Sequence, residues 1–176
     1  MSTMAAPPAP RHDPAGVDLA QLHHAHYREL VRLASFLLDD VGRCEEVVQE
    51  AFVRVAARPS AIEDPDRAAA YLRSAVLNGA RSARRRRDPV PKLRSVAATT
   101  AGPETPEHAE ARHHDEARVI DALRQLPHQQ QAVLVLRYWL DLPESAIADT
   151  LGIRPGTVKT HAKRGLASLA ATLGGR

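Results

Sequence analysis

The sequence predicts an all-α protein of two small helical domains joined by a flexible linker, the C-terminal one containing a helix-turn-helix. Three observations carry this. Apolar residues recur at helical spacing, with no strand-like alternation and no internal repeat. Aromatics make up only 3% of the 176 residues, so Ala, Leu and Val must build the core, a composition suited to packed helices. Proline-rich stretches then cut the chain into separate blocks.

The first break is the start, "MSTMAAPPAPRHDPAG", which reads as a disordered leader over residues 1–16. It has no apolar stretch of signal-peptide type. A helical domain is expected over 17–87. Its first helix runs from about Leu19 to Leu38. The second runs from Val41 to Ala56, with Cys44, Val47, Val48, Ala51, Phe52 and Val55 on one face. A local break, "ARPSAIEDPDR", separates it from the third, which starts after Asp64-Pro65, a cap residue followed by proline in the first turn. That helix continues into the arginine run and buries Leu72, Ala75, Val76 and Gly79.

Residues 88–114 read as the linker, with Pro89, Pro91, Pro103 and Pro106 among Ala, Ser and Thr. The second domain is expected over 115–176. In it, "ESAIADTLGIRPGTVKTHAKRGLASL" has the form of a helix-turn-helix: a short helix with Ile147 and Leu151, a turn at Gly152, and a second helix from about Pro155. On that second helix Val158, Ala162, Leu166 and Leu169 are expected to pack inward. Thr157, Thr160 and Arg164 fall opposite, flanked by Lys159 and Lys163. Hydroxyls and an arginine suit base edges, and lysines suit phosphates. Arg154, just ahead of the helix, is placed to reach a phosphate at its positive end.

The chain is 44% hydrophobic and 26% charged, the balance of a soluble globular protein. Its net charge of +3 suits an anionic partner without requiring one. The distribution says more. The basic "RSARRRRDPVPKLR" is followed by the acid-leaning "GPETPEHAEARHHDE", a segregation that a nonspecific basic coat would lack. The single cysteine, Cys44, excludes an intramolecular disulfide and fits a reducing compartment. No apolar run reaches membrane-span length, so a cytoplasmic protein without membrane insertion is expected.

The outward faces of the second and third helices differ in sign. The second presents Glu46, Gln49, Glu50 and Val53; an exposed valine in an acidic patch points to a protein partner. The third presents Tyr71, Ser74, Asn78, Arg81 and Arg85, with Arg84 beside them. Arginines and a tyrosine next to an amide can hold a nucleic-acid backbone and stack or hydrogen-bond an unpaired base.

These stretches resemble a known family. "LLDDVGRCEEVVQEAFVRV" is similar to the second region of the bacterial extracytoplasmic-function (ECF) sigma factors, with Asp40, Glu45, Glu46, Gln49, Glu50 and Phe52 on that region's acidic, "VQE" and aromatic places. "AAYLRSAVLNGARSARRRR" is similar to the part that follows, with Asn78 on the family's asparagine. "ALRQLPHQQQAVLVLRYWLDLPESAIADTLGIRPGTVKTHAKR" resembles the fourth region. The resemblance implies that Asp40, Glu45, Glu46, Gln49, Glu50 and Val53 bind the β′ clamp helices of core RNA polymerase. It implies that the third helix, with the loop from Pro59 to Arg67, melts the −10 element of promoter DNA and traps a flipped base. The second domain would sit on the β flap and read the −35 element through Thr157, Lys159, Thr160, His161 and Arg164, while the linker threads towards the RNA exit path. An anti-sigma factor is a further partner the family admits. His161 and Ala162 stand where the family more often has Arg and Leu, Pro143 where Ser is usual, and Tyr71 where Trp is common; these departures bear on which promoter is read.

The histidines of "HHAH" (His23, His24, His26) and the His113-His114 pair lack cysteine or carboxylate partners at metal-site spacing, so no metal and no cofactor is expected. Cys44 lies on an apolar face, where a structural role outweighs a redox one. No phosphate loop, catalytic triad or metalloenzyme motif occurs, so no enzymatic activity is expected. Two other readings remain: a stand-alone helix-turn-helix regulator of the response-regulator type, which should carry an upstream receiver domain of alternating strands and helices, and a nonspecific nucleic-acid binder whose affinity salt alone would set.

Overall fold

The computed structural model describes residues 18–57, 65–86 and 106–175, with side chains of 65 and 106–113 not among them. All the elements described are helical: α1 (Leu19–Leu37), α2 (Val41–Ala56), α3 (Pro65–Arg85), α4 (Pro106–Gln125), α5 (His128–Leu134) with a π-helical extension (Val135–Trp139), α6 (Glu144–Leu151) and α7 (Pro155–Gly174). The bounds of α1, α2 and α3 agree with the expected ones to within a residue or two at each end. The leader, the loop over 58–64 and residues 87–105 lie outside the described residues.

Residues 106–114, read as linker, are the first turns of α4. Proline at the first helical position has no intrahelical hydrogen bond to lose, and the Ala, Glu and Arg that follow Pro106 are good helix formers.

Within the first block, α1, α2 and α3 pack against one another. Asp18 and Asp40 start α1 and α2 as N-caps: Asp18 Oδ1 accepts from the Ala20 amide at 2.9 Å, and Asp40 Oδ1 from the Arg43 amide at 2.8 Å. The α1 stripe of Leu22, Leu30, Leu33, Ala34 and Leu37 meets the α2 stripe of Cys44, Val47, Val48, Ala51, Phe52 and Val55, all buried. Gly79 lets α3 approach α2 closely, since a β-carbon there would lie 2.8 Å from Val47 Cγ1. A half-buried ion pair, Arg73 Nε to Glu29 Oε1 at 2.9 Å, ties α3 to α1.

In the second block α7 packs on α4, α5 and α6. Asp141 turns the chain between the π-helical segment and α6 at φ 49°, a left-handed conformation that Asp tolerates better than most residues. The buried side chains of both blocks form one continuous cluster.

The contact between blocks is built on the C-terminal end of α1, whose last carbonyls have no intrahelical donor. Arg124 Nη2 donates to the carbonyls of Ser35 (2.6 Å) and Leu38 (2.8 Å), and Gln131 Nε2 donates to that of Phe36 (2.9 Å). Arg84 of α3 completes the join, donating to Gln131 Oε1 (2.8 Å) and to the Arg124 carbonyl (2.9 Å). Phe36 and Trp139 pack with ring centroids 5.1 Å apart, and the Arg32 guanidinium lies 5.4 Å from the Trp139 ring centroid.

Candidate nucleic-acid interface

The helix-turn-helix is set by one glycine and one close approach. Gly152 ends α6 at φ 63°, ψ 36°, and the Ile153 amide donates back to the Ala148 carbonyl at 3.0 Å, closing α6 in a left-handed cap. Pro155 then opens α7. Gly165 brings α7 onto α5: a β-carbon there would lie 2.9 Å from Leu134 Cδ1.

Seen along α7, the buried line runs through Val158, Ala162 and Gly165, with Leu169 half-buried. Leu166, expected on this line, is instead 44% exposed. Seven- and eleven-residue steps return to the same face at 100° per residue, whereas the eight-residue step from Val158 to Leu166 overshoots it by about 80°. His161 falls on the opposite flank of the same line. It is half-buried with a buried, unpaired Nδ1, so it is partly drawn into the packing rather than fully exposed.

Arg154, Lys159, Thr160, Lys163 and Arg164 are exposed and Thr157 is half-buried, which leaves one face of α7 basic and hydroxyl-bearing. The Thr160 hydroxyl donates to the Gly156 carbonyl at 3.0 Å. Two residues that the sequence reading passed over join this face. Glu144, at the start of α6, pairs through Oε1 with Arg137 Nη1 at 3.0 Å and through Oε2 with Lys159 Nζ at 3.6 Å. The sequence carried a faint signal for them, because Glu144 occupies the first turn of the short helix beneath the recognition helix.

On α3, Asn78, Arg81 and Arg85 are exposed while Tyr71 and Ser74 are half-buried. The Asn78 amide reaches Ser74 Oγ at 3.5 Å, at the limit of a hydrogen bond, and so is held only loosely. Arg84 is not presented with this group. Its guanidinium is engaged by Gln131 and the Arg124 carbonyl, which removes it from the exposed basic face in this arrangement.

The outward side of α2 keeps its acid. Glu45, Glu46, Gln49 and Glu50 are exposed, and Val53 is 66% exposed among them. Glu50 is paired with Arg54 at 2.6 Å, one turn on. Asp40 is half-buried as the α2 cap, so its first task is structural. A shallow groove of about 160 Å³ lies between α2 and α3, lined by Arg43, Glu46 and Glu50 on one side and by Gly79, Ala83 and Arg86 on the other, with Tyr71, Ser74, Asn78, Arg81 and Arg85 not among its lining residues.

Among the described residues, two titratable groups are strongly displaced. Burial pushes the Cys44 thiol up to about 12, with Arg124 opposing the rise. The thiol is therefore protonated and poorly nucleophilic, as its structural placement implies. Burial, then the charges of Arg81 and Arg84, lower His128 to about 4. His23 stacks on Tyr27 and meets Phe52, with centroids 4.6 and 4.8 Å away. Among the described residues no three His, Cys, Asp or Glu side chains are grouped to hold a metal ion, and no helix is long and apolar enough to cross a membrane.

Comparison with known proteins agrees with this geometry. Residues 22–90 match the family description "Sigma-70 region 2" and residues 116–169 match "Sigma-70, region 4". The chain is 36% identical to an RNA polymerase sigma-E factor of Streptomyces coelicolor over 80% of this chain and 77% of that one. It is 32% identical to the ECF RNA polymerase sigma factor SigL of Mycobacterium tuberculosis over 86% of each. Among solved structures it resembles CnrH in complex with the cytosolic domain of CnrY, at a TM-score of 0.66 and 25% identity, covering 89% of this chain and 88% of that one. The fold is also that of the sigma factor RpoE of Bartonella quintana, at a TM-score of 0.68 and 22% identity, covering 89% and 96%. Two regions matched in order, and relatives matched over most of their length, favour this reading over a stand-alone regulator. The chain belongs to the extracytoplasmic-function sigma factors, which direct RNA polymerase to transcribe from specific promoters.

Proposed function

We propose that the two blocks divide the work of initiation between a protein partner and two promoter elements. The exposed acidic face of α2 (Glu45, Glu46, Gln49, Glu50 and Val53, with Asp40 fixing the start of the helix) binds the β′ clamp helices of core polymerase. The neighbouring face of α3 (Tyr71, Ser74, Asn78, Arg81, Arg85), together with the loop over 59–67, opens the −10 element and captures a flipped base. Face α7 towards the major groove and Arg154, Thr157, Lys159, Thr160, Lys163 and Arg164 address the −35 element, while the block itself rests on the β flap. The protein does this in the cytoplasm and catalyses no reaction of its own. An anti-sigma factor is a further partner; the similar CnrH and RpoE structures are complexes with CnrY and with the anti-sigma factor NepR.

The observation that supports this reading is the opposite sign of two exposed helix faces, with Glu45, Glu46 and Glu50 on α2 and Arg81 and Arg85 on α3. Acid on α2 repels phosphate and suits a basic protein surface; base on α3 does the opposite. Glu50→Lys should weaken assembly with core polymerase and leave the −35 preference of whatever holoenzyme forms unchanged. Arg164→Ala should leave assembly intact and reduce discrimination at one −35 base pair by about 1–3 kcal/mol. Core-binding titration and competition among −35 variants read the two effects separately. Loss of DNA recognition alone from both substitutions would overturn the division.

A further inference from the structure

We infer that Glu144 determines specificity in the −35 block by holding Lys159 and Arg137 back from sequence-independent phosphate contact. The inference rests on the reading of α7 as the −35 recognition helix. Glu144 is 29% exposed, and each of its carboxylate oxygens serves a different cation: Oε1 takes Arg137 at 3.0 Å from the π-helical segment, and Oε2 takes Lys159 at 3.6 Å from α7. The carboxylate sits in the first turn of α6, and the N-cap of that helix, Pro143, makes no competing side-chain bond. The other cations of this face, Arg154, Lys163 and Arg164, have no carboxylate partner among the described residues.

This contrast matters because phosphate contacts supply nearly all of a protein's affinity for DNA of the wrong sequence. A lysine that must loosen a carboxylate to meet a phosphate adds little to such complexes. Base-edge contacts from Thr157, Thr160 and Arg164 are untouched by that carboxylate, so the ratio of specific to nonspecific binding rises. The carboxylate also repels nearby phosphates until the helix is seated, which acts in the same direction. Glu144 is thus a positioning residue that works through Lys159 and Arg137.

The test uses holoenzyme reconstituted from the full chain and core polymerase, with core alone as the baseline. Binding to a promoter fragment and to a fragment without one is measured across about 50–200 mM salt. Glu144→Gln should raise affinity for the non-promoter fragment by up to about five-fold, the ceiling for one exposed ion pair. It should steepen the salt slope by about 0.9 for the phosphate contact released. Promoter affinity should rise less, so that discrimination falls. Glu144→Asp should restore part of the wild-type behaviour. In a Lys159→Ala background the effect of Glu144→Gln should shrink to the part carried by Arg137. An unchanged slope, or the same increment with and without Lys159, would overturn the inference while leaving the −35 reading in place. If Lys159→Ala and Arg164→Ala both left promoter binding unaltered, the −35 reading itself would fail and the inference with it. Melting temperatures of the variants identify any simple loss of fold.

Discussion

Gly152 shows how far a single residue can be read in advance. Its place after a short apolar helix marks a turn, and the structure puts it at φ 63°, where a β-carbon is strained although no atom lies within 4 Å of one. Gly152→Ala should therefore destabilise the second block through backbone strain alone, by about 1–2 kcal/mol, as measured by urea denaturation. A neutral result would mean that the turn relaxes. Asn78, Lys159 and Arg164 were legible for a similar reason: each is a polar residue on the side of a helix opposite its apolar stripe. Arg84, Arg124 and Gln131 were not. An arginine among arginines looks solvated, and Gln131 stands in "QQQAVLVL" with only its apolar neighbours to hint that it is buried. What fixes Arg124 and Gln131 is the set of carbonyls at the end of α1, more than eighty residues away in sequence, and Arg84 is held in turn by Gln131 and the Arg124 carbonyl.

Elements were legible where their periodicity was strong and their caps were short-range. Asp40 and the Pro65 start bracket helices whose ends the sequence located to within a residue or two. Misreadings came where two patterns competed. On α7, Leu166 outweighed Gly165 as a core candidate by hydrophobicity, yet the geometry favours the residue that permits close approach to Leu134. The α1 terminus gives the element-scale tests. Arg124→Ala leaves the Ser35 and Leu38 carbonyls without their guanidinium donor and should cost about 1–3 kcal/mol in denaturation. A loss below about 0.5 kcal/mol would mean that only its exposed pair with Asp121 mattered. His128, neutral in the folded chain down to about pH 4, supplies the pH dependence. The unfolded chain takes up the proton first, near 6.5, so stability is lost as pH falls from about 6.5 to 4 and levels off below. His128→Gln should flatten that limb of the stability profile.

For the whole molecule, composition and periodicity were enough to read an all-α fold, and the family regions matched at 22–90 and 116–169 agree with the order of the two blocks. The mutual packing of the two blocks was not legible, because it depends on polar side chains meeting backbone carbonyls rather than on any periodic pattern. That packing joins the buried cores into one cluster and engages an α3 arginine that would otherwise lie beside the exposed basic residues of that helix. The central claim is that this chain gives core polymerase its promoter preference. Run-off transcription across a pooled promoter library, with purified bacterial core polymerase in the presence and absence of the chain, tests it most directly. The account predicts discrete transcripts that appear only with the chain present and share a common pair of −35 and −10 sequences. Core polymerase that neither binds the chain nor gains any initiation from it would contradict the account.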